Sequence, residues 1–191
     1  MVKPHIFGVG TGKTGTNSLA VALQQMGLSC YHAGHESYYE NDEIKNKLLE
    51  NKKEKKPPTE GIEGYDALID YPVFTMFKEL DKTVSNAKFI MTYRPPDDCA
   101  LSWCRMITDQ HERNISRKWR RGFKDYSEFV RSHNDSVLKY FYARPEKLLI
   151  LDVREEDRTK WALLTKFLGK NCPKGVPYPQ KFRYTSWQLE E

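Results

Sequence analysis

The segment spanning residues 8–18 constrains the fold of this chain more than any other feature. It runs Gly-Val-Gly-Thr-Gly-Lys-Thr-Gly-Thr-Asn-Ser, after an apolar stretch predicted as a strand and before a helical pattern that includes Leu19. Glycines let a backbone approach an anion closely, and the N-terminus of a helix adds partial positive charge at the same place. Lys13 adds a full charge, and neighbouring threonines and Asn17 add hydrogen-bond donors. Strand, glycines, lysine, donors and helix in this order predict a phosphate-binding loop.

The rest of the chain alternates short apolar runs with helical patterns. After the first strand near His5–Val9, further strands are predicted at 28–32, 67–70, 88–93 and 148–152. Helical patterns occupy the intervals between them, including 37–56, 126–143 and 160–168. This alternation is typical of a parallel sheet covered by helices. We therefore predict an α/β fold in a single domain, residues 1–191, with an irregular tail from about residue 172.

Composition narrows the class of protein. Apolar residues make up 39% and charged residues 30% of 191 positions, as in an ordinary globular domain. No window approaches the roughly 20 apolar residues of a membrane span, and the N-terminus does not resemble a signal peptide, so we expect a cytoplasmic protein without membrane contact. The four cysteines have no CxxC or metal-ligand spacing, which favours free thiols. The net charge of +5 favours an anionic ligand.

The glycine-rich loop differs from that of nucleoside triphosphatases. The Walker A pattern would place its first glycine at position 7, which is Phe7 here, so the loop is one residue short. The segment Gly12-Lys13-Thr14-Gly15-Thr16-Asn17 instead resembles the 5′-phosphosulfate loop of sulfotransferases, which runs Pro-Lys-Ser-Gly-Thr-Thr. Gly12 replaces the proline of that loop.

A second motif resembles the same family. In sulfotransferases an arginine after the fourth strand and a serine eight residues later hold the 3′-phosphate of the donor, and Arg94 and Ser102 have this spacing. Arg94 follows a predicted strand, where ligands bind in open α/β sheets, and its planar guanidinium suits a phosphate. The structural alternative is an ion pair of Arg94 with Asp97 or Asp98.

The resemblance extends over roughly residues 5–180, including Cys30-Tyr-His32 and Asp70-Tyr-Pro72. It implies a P-loop-type three-layer αβα fold with a parallel five-stranded sheet in the order 2-3-1-4-5. It also implies 3′-phosphoadenosine 5′-phosphosulfate as sulfuryl donor, adenosine 3′,5′-bisphosphate as product, and no metal requirement. The implied donor-binding residues are Gly12, Lys13, Thr14, Gly15, Thr16, Asn17, Arg94 and Ser102.

Sulfuryl transfer to a hydroxyl requires cations around the transferred group and a base for the acceptor's proton. Lys13 is the candidate for stabilising charge on the oxygen between sulfate and phosphate. Asp70 is the first candidate for the base, because it ends the third strand two residues before Pro72, where the cytosolic branch has a histidine. A helix cap is its alternative role. The competing bases lie beyond the second strand and are His32, His35 and Glu36.

A cationic stretch separates the fourth and fifth strands. Its charges recur at helical intervals and are Arg113, Arg117, Arg120, Arg121 and Lys124. Three interpretations stay open: a solvated helix face, a lid over the donor or an anionic acceptor, and an RNA-binding surface. No nucleic-acid-binding module accompanies it, so we expect no nucleic-acid partner.

Two other functions fit parts of the pattern. A small-molecule kinase would use Ala67–Asp70 as a Walker B strand, although the short loop argues against it. A non-catalytic nucleotide-binding module would keep the loop without the chemistry. The acceptor, expected to be a small molecule or a glycan, and the oligomeric state are not encoded in any motif we identify.

Overall fold

The computed structural model describes residues 3–33, 42–110 and 116–180, without the side chains of 107–110 and 116–121. The strands are β1 (Ile6–Gly8), β2 (Cys30–His32), β3 (Ala67–Ile69), β4 (Lys88–Tyr93) and β5 (Leu148–Asp152). The α-helices of the described chain are α1 (Thr16–Gln25), α2 (Glu43–Lys53), α3 (Phe77–Thr83), α4 (Pro96–Gln110), α5 (Ser116–Phe141) and α6 (Asp157–Leu168). Short 3₁₀ turns cover Val73–Met76 and Pro145–Lys147.

The five strands form one parallel sheet in the order β2-β3-β1-β4-β5. The fold class and the strand order implied by the resemblance are thus confirmed. The central strand β1 pairs with β3 on one side and β4 on the other, and Gly8 lies opposite Ile69 and Ile90. Because all strands run the same way, the loops after β1, β3 and β4 emerge side by side at one edge of the sheet.

Apolar side chains cover both faces of this sheet. Successive residues of a strand point to opposite faces, so Ile6 joins a core with Leu19 of α1 and Trp161 of α6. Phe7 points the other way, where its ring lies 5.6 Å from that of Phe89. Helix α5 closes this second face through buried Val137 and Phe141, among others. These two layers of helices hold the sheet edge and its loops in place.

The helix before the fifth strand begins earlier than predicted. The apolar periodicity indicates a helix from about residue 126, but α5 starts at Ser116. The added residues are mostly charged and polar, and arginine and lysine form helices well without contributing to an apolar stripe. The sequence pattern therefore locates the buried part of α5 and misses its polar first turns. Within the described ranges, no helix is long and apolar enough to cross a membrane.

Candidate active site

The glycine-rich loop connects β1 directly to the N-terminus of α1. Lys13 and Gly15 have positive φ angles of 67° and 95°, which turn the chain sharply into the helix. A Cβ atom on Gly15 would also lie 2.7 Å from Cγ1 of Val153, so the position requires glycine. Among the described residues, no backbone–backbone hydrogen bond of good geometry has its donor N–H in residues 12–17. These N–H groups at a helix N-terminus form an anion-binding arrangement.

Threonine hydroxyls fasten the loop to β4. The hydroxyl of Thr14 is buried, donates to the carbonyl oxygen of Thr11 at 2.6 Å, and lies 2.7 Å from Oγ1 of Thr92. A Cβ atom on Gly10 would lie 2.1 Å from the same Thr92 oxygen, which explains glycine there. The Thr14 hydroxyl is thus engaged within the protein. Of its polar groups, the backbone N–H is the one that can bind an anion.

Lys13 shares its surroundings with one carboxylate and one guanidinium. Burial lowers the pKa of Lys13 below its ordinary value, while the nearby Asp70 carboxylate acts to raise it and Arg94 to lower it. The structure therefore brings Lys13, Asp70 and Arg94, which belong to three different loops, to one edge of the sheet. Two cations at the same edge of the sheet favour binding of an anion there.

Arg94 does not form the ion pair with Asp97 or Asp98 that was its structural alternative. The Asp97 carboxylate accepts a hydrogen bond from Ser127 of α5 and lies 3.9 Å from Arg131. Arg94 itself is half-buried after β4, and within the described chain no carboxylate lies within ion-pair distance of it. Ser102 lies on α4 and is also half-buried.

Asp70 and His32 end two adjacent strands and meet at this edge. Nε2 of His32 lies 3.4 Å from Oδ2 of Asp70, and their side chains are only 6% and 14% exposed. The same Oδ2 accepts a hydrogen bond from the Thr16 hydroxyl at 3.2 Å, and Oδ1 accepts one from the N–H of Tyr71 at 2.7 Å. Asp70 has a φ of 77°, an uncommon backbone conformation for a residue other than glycine.

The capping alternative for Asp70 has no support in these contacts. The 3₁₀ turn that follows begins at Val73, its cap residue is Pro72, and no side chain caps it. The Thr16 hydroxyl, which is also predicted to bind the donor, donates to the Asp70 carboxylate and so links the loop to the candidate base. His35 and Glu36 lie outside the described residues.

Helix α5 contributes two side chains that the sequence did not single out. The hydroxyl of Tyr126 donates to the carbonyl oxygen of Gly12 at 2.9 Å. Nε2 of His133 lies 2.8 Å from the carbonyl oxygen of Val9, which can only accept, so this nitrogen carries the proton. Burial lowers the pKa of His133, which favours the neutral ring. The sequence signal that could have identified them is their spacing of seven residues, which places Tyr126 and His133 on one face of a helix.

An aromatic face flanks the candidate base. It consists of Tyr71, Phe74, Phe129 and Tyr126, whose rings contact each other in that order at centroid distances of 6.1, 6.3 and 5.9 Å. Tyr71 and Phe129 are 47% and 44% exposed. The aromatic face thus extends from the residue after Asp70 to the residue that contacts the glycine-rich loop, and it can pack against a bound molecule.

The cationic stretch falls largely outside the described side chains. Arg113, Arg117, Arg120 and Arg121 belong to that part, and of this group the structure describes Lys124, which is exposed and lies 3.8 Å from Glu128. In the described ranges, no group of three or more His, Cys, Asp or Glu side chains is arranged to hold a metal ion.

Comparisons with known proteins identify the family and agree with the fold. A family model described as a sulfotransferase domain matches residues 5–126 and 113–184. The fold is similar to that of the crystal structure of a sulfotransferase from Alicyclobacillus acidocaldarius, with a TM-score of 0.57 and 18% identity over 93% of this chain and 85% of that chain. No match to a curated protein sequence is significant. Since the family model matches nearly the whole chain, this protein belongs to the sulfotransferase domain family.

Proposed function

We propose that this sulfotransferase moves a sulfuryl group from 3′-phosphoadenosine 5′-phosphosulfate to a hydroxyl or amine of a small-molecule or glycan acceptor. The observation that carries the proposal is the convergence of Lys13 and Arg94 at the sheet edge where the glycine-rich loop presents the N–H groups of residues 12–17. Within the described ranges, the N–H groups of these residues donate no backbone–backbone hydrogen bond of good geometry. In the described chain neither cation has a carboxylate within ion-pair distance, so both are available to a doubly anionic ligand.

The donor would use both halves of this site. Its 5′-phosphosulfate would bind the N–H groups of Gly12 to Asn17 together with the Lys13 ammonium group. Its 3′-phosphate would bind Arg94 and Ser102, which follow the neighbouring strand β4. The residues present fit such a ligand, because main-chain donors, a point charge and a planar fork are the groups that bind phosphate well.

Sulfuryl transfer from this donor is a single displacement at sulfur. The acceptor oxygen forms a bond to sulfur while the bond between sulfur and the bridging oxygen breaks, and that oxygen leaves with the electron pair on adenosine 3′,5′-bisphosphate. Lys13 would stabilise the charge that develops on the leaving oxygen. The acceptor's proton would pass to the pair formed by Asp70 and His32, with Asp70 as the first acceptor.

A transfer screen with radiolabelled sulfate in the donor tests this proposal. Phenols, sugars, aliphatic alcohols and peptides serve as acceptors, and EDTA is present in parallel reactions. We expect donor-dependent labelling that survives EDTA, whereas a kinase would require magnesium and nucleoside triphosphate. Lys13→Ala should reduce turnover at least about a hundredfold with a native circular dichroism spectrum. Lys139→Ala, which removes an exposed lysine of α5, is the matched control.

The second candidate function, a non-catalytic nucleotide-binding module, predicts a different result. Such a protein would bind adenosine 3′,5′-bisphosphate in calorimetry and would label no acceptor in the whole panel. Near-normal turnover in Lys13→Ala would remove the basis for assigning the donor to this loop.

A further inference from the structure

The hydrogen bond between Tyr126 and Gly12 joins helix α5 to the glycine-rich loop across 114 positions of sequence. The acceptor is the carbonyl oxygen of the residue immediately before Lys13. In a trans peptide the C=O and N–H groups point in opposite directions. A Gly12 carbonyl directed at Tyr126 therefore directs the N–H of Lys13 away from α5. The Tyr126 hydroxyl thus bonds the carbonyl end of the peptide unit whose N–H belongs to Lys13.

The Tyr126 ring is itself held firmly. It stacks on the indole of Trp103 from α4 with a centroid distance of 5.1 Å and an interplanar angle of 4°. Gly122, one turn earlier on α5, leaves room for the indole, since a Cβ there would lie 3.0 Å from Cζ3 of Trp103. Burial raises the pKa of Tyr126 above its ordinary value, so its hydroxyl keeps the proton that it donates.

The residue at position 12 is matched to this contact. A Cβ atom on Gly12 would lie 3.2 Å from the Tyr126 hydroxyl oxygen, closer than such atoms ordinarily approach. Glycine therefore gives the hydroxyl room but leaves the backbone of the loop less restricted than a proline would. The sulfotransferase loop that this segment resembles has proline at this position. The tyrosine from α5 supplies a tertiary constraint where the chain lacks a local one.

We propose that Tyr126 is a positioning residue of the donor site, which orients the Gly12–Lys13 peptide and restricts the loop that carries the Lys13 side chain. The proposal rests on the donor assignment for its effects on ligand binding and catalysis, whereas the restriction of the loop exists without ligand. A merely structural role, in which Tyr126 ties α5 to the sheet, would affect stability and leave the loop unchanged. The two roles can be separated with a second tyrosine of the same helix.

Tyr126→Phe removes the hydroxyl and keeps the stack on Trp103. Tyr140→Phe is the matched control, because Tyr140 also lies on α5 and its hydroxyl donates to Asp81 at 2.9 Å, remote in sequence from the loop. In ¹⁵N relaxation measurements on the ligand-free protein, we expect lower order parameters for the amides of residues 10–15 in Tyr126→Phe alone. Calorimetry with adenosine 3′,5′-bisphosphate should show about fivefold to tenfold weaker binding in Tyr126→Phe, the worth of one hydrogen bond, and wild-type binding in Tyr140→Phe.

Gly12→Pro supplies a rescue. In wild-type protein it crowds the Tyr126 hydroxyl, whereas in Tyr126→Phe the oxygen is gone and the proline should restore the order parameters of the loop. Because proline also removes the Gly12 N–H that the proposal assigns to the donor, the rescue is measured by loop order and not by affinity. Unchanged order parameters in Tyr126→Phe, equal effects in Tyr140→Phe, or a loss of loop order that Gly12→Pro does not relieve would each refute the positioning role. Absence of adenosine 3′,5′-bisphosphate binding by the wild type would instead refute the donor assignment, and the order parameters would still decide the role of Tyr126.

Discussion

Oδ2 of Asp70 lies 3.4 Å from Nε2 of His32, so two side chains that compete for the role of base in the sequence form one buried pair in the structure. The pairing of β2 with β3 places His32 opposite Ile69, next to Asp70 in the chain. Thr16, at the start of α1, contacts the same carboxylate oxygen and connects the pair to the glycine-rich loop. Removing either member should therefore disturb both, and the variants must distinguish the proton acceptor from its partner.

Asp70→Asn should bind adenosine 3′,5′-bisphosphate normally and lose on the order of 10²–10⁴ in turnover, because an amide keeps the shape but cannot accept the acceptor's proton. Steady-state kinetics with calorimetry on the same samples check both parts. Circular dichroism is the control for folding. Turnover near the wild-type level in Asp70→Asn would exclude this residue as the base.

His32→Asn addresses the partner, with His35→Asn and Glu36→Gln in parallel. If Asp70 accepts the proton, His32→Asn should lose less turnover than Asp70→Asn, because it removes only a neighbour of the carboxylate. Loss of all turnover in one of the three variants, with donor binding preserved and Asp70→Asn active, would transfer the role of base to that residue. The donor assignment is unaffected by that result.

Arg94→Ala should weaken the binding of adenosine 3′,5′-bisphosphate by about 2 kcal/mol, which lies in the range for hydrogen bonds to charged groups. Adenosine 5′-monophosphate, which lacks the 3′-phosphate, should lose much less affinity. Calorimetry with both ligands measures the difference. Arg131→Ala is the matched control, since it removes an exposed guanidinium that has Asp97 nearby. Equal losses for the two ligands in Arg94→Ala would place this side chain elsewhere in the site.

The lowered pKa of Lys13 predicts an alkaline limit to activity. Deprotonation removes the charge that stabilises the leaving oxygen, so kcat/KM should fall as the pH rises through a pKa below that of an ordinary lysine. A bound anionic donor favours the charged form, so the corresponding fall in kcat should occur at higher pH. Lys13→Arg keeps its charge across this range and should lose the alkaline limb. If the alkaline fall in activity persisted unchanged in Lys13→Arg, a titrating group other than Lys13 would cause it.

Phe129→Ala tests whether the acceptor packs on the aromatic face. This side chain is 44% exposed and contacts Phe74, so its removal should raise KM for the acceptor severalfold and leave adenosine 3′,5′-bisphosphate affinity unchanged. Tyr142→Ala, at an 87% exposed position near the end of α5, is the control for a general effect of removing a surface aromatic. The same KM in both variants and the wild type would place the acceptor away from this face.

Local patterns account for most of what the sequence predicted correctly. Strand and helix periodicities are readable within short windows. The glycines beside Lys13 and the eight-residue interval from Arg94 to Ser102 are readable in the same way, and their role in binding the donor stays a prediction. The strand order came from the resemblance, because periodicity does not say which strands are neighbours. The polar first turns of α5 were missed for a related reason: charged helix formers leave no apolar stripe to detect.

The sequence by itself determined the α/β architecture and predicted the glycine-rich phosphate-binding loop, because each depends on residues close together in the chain. Only the tertiary structure decided that Asp70 meets His32, that Arg94 has no described carboxylate partner, and that Tyr126 contacts Gly12. These relationships join residues separated by as many as 114 positions, and they depend on strand order and helix packing together. A single sequence records which side chains exist, but the free energy of burying both faces of the sheet selects which of them come into contact.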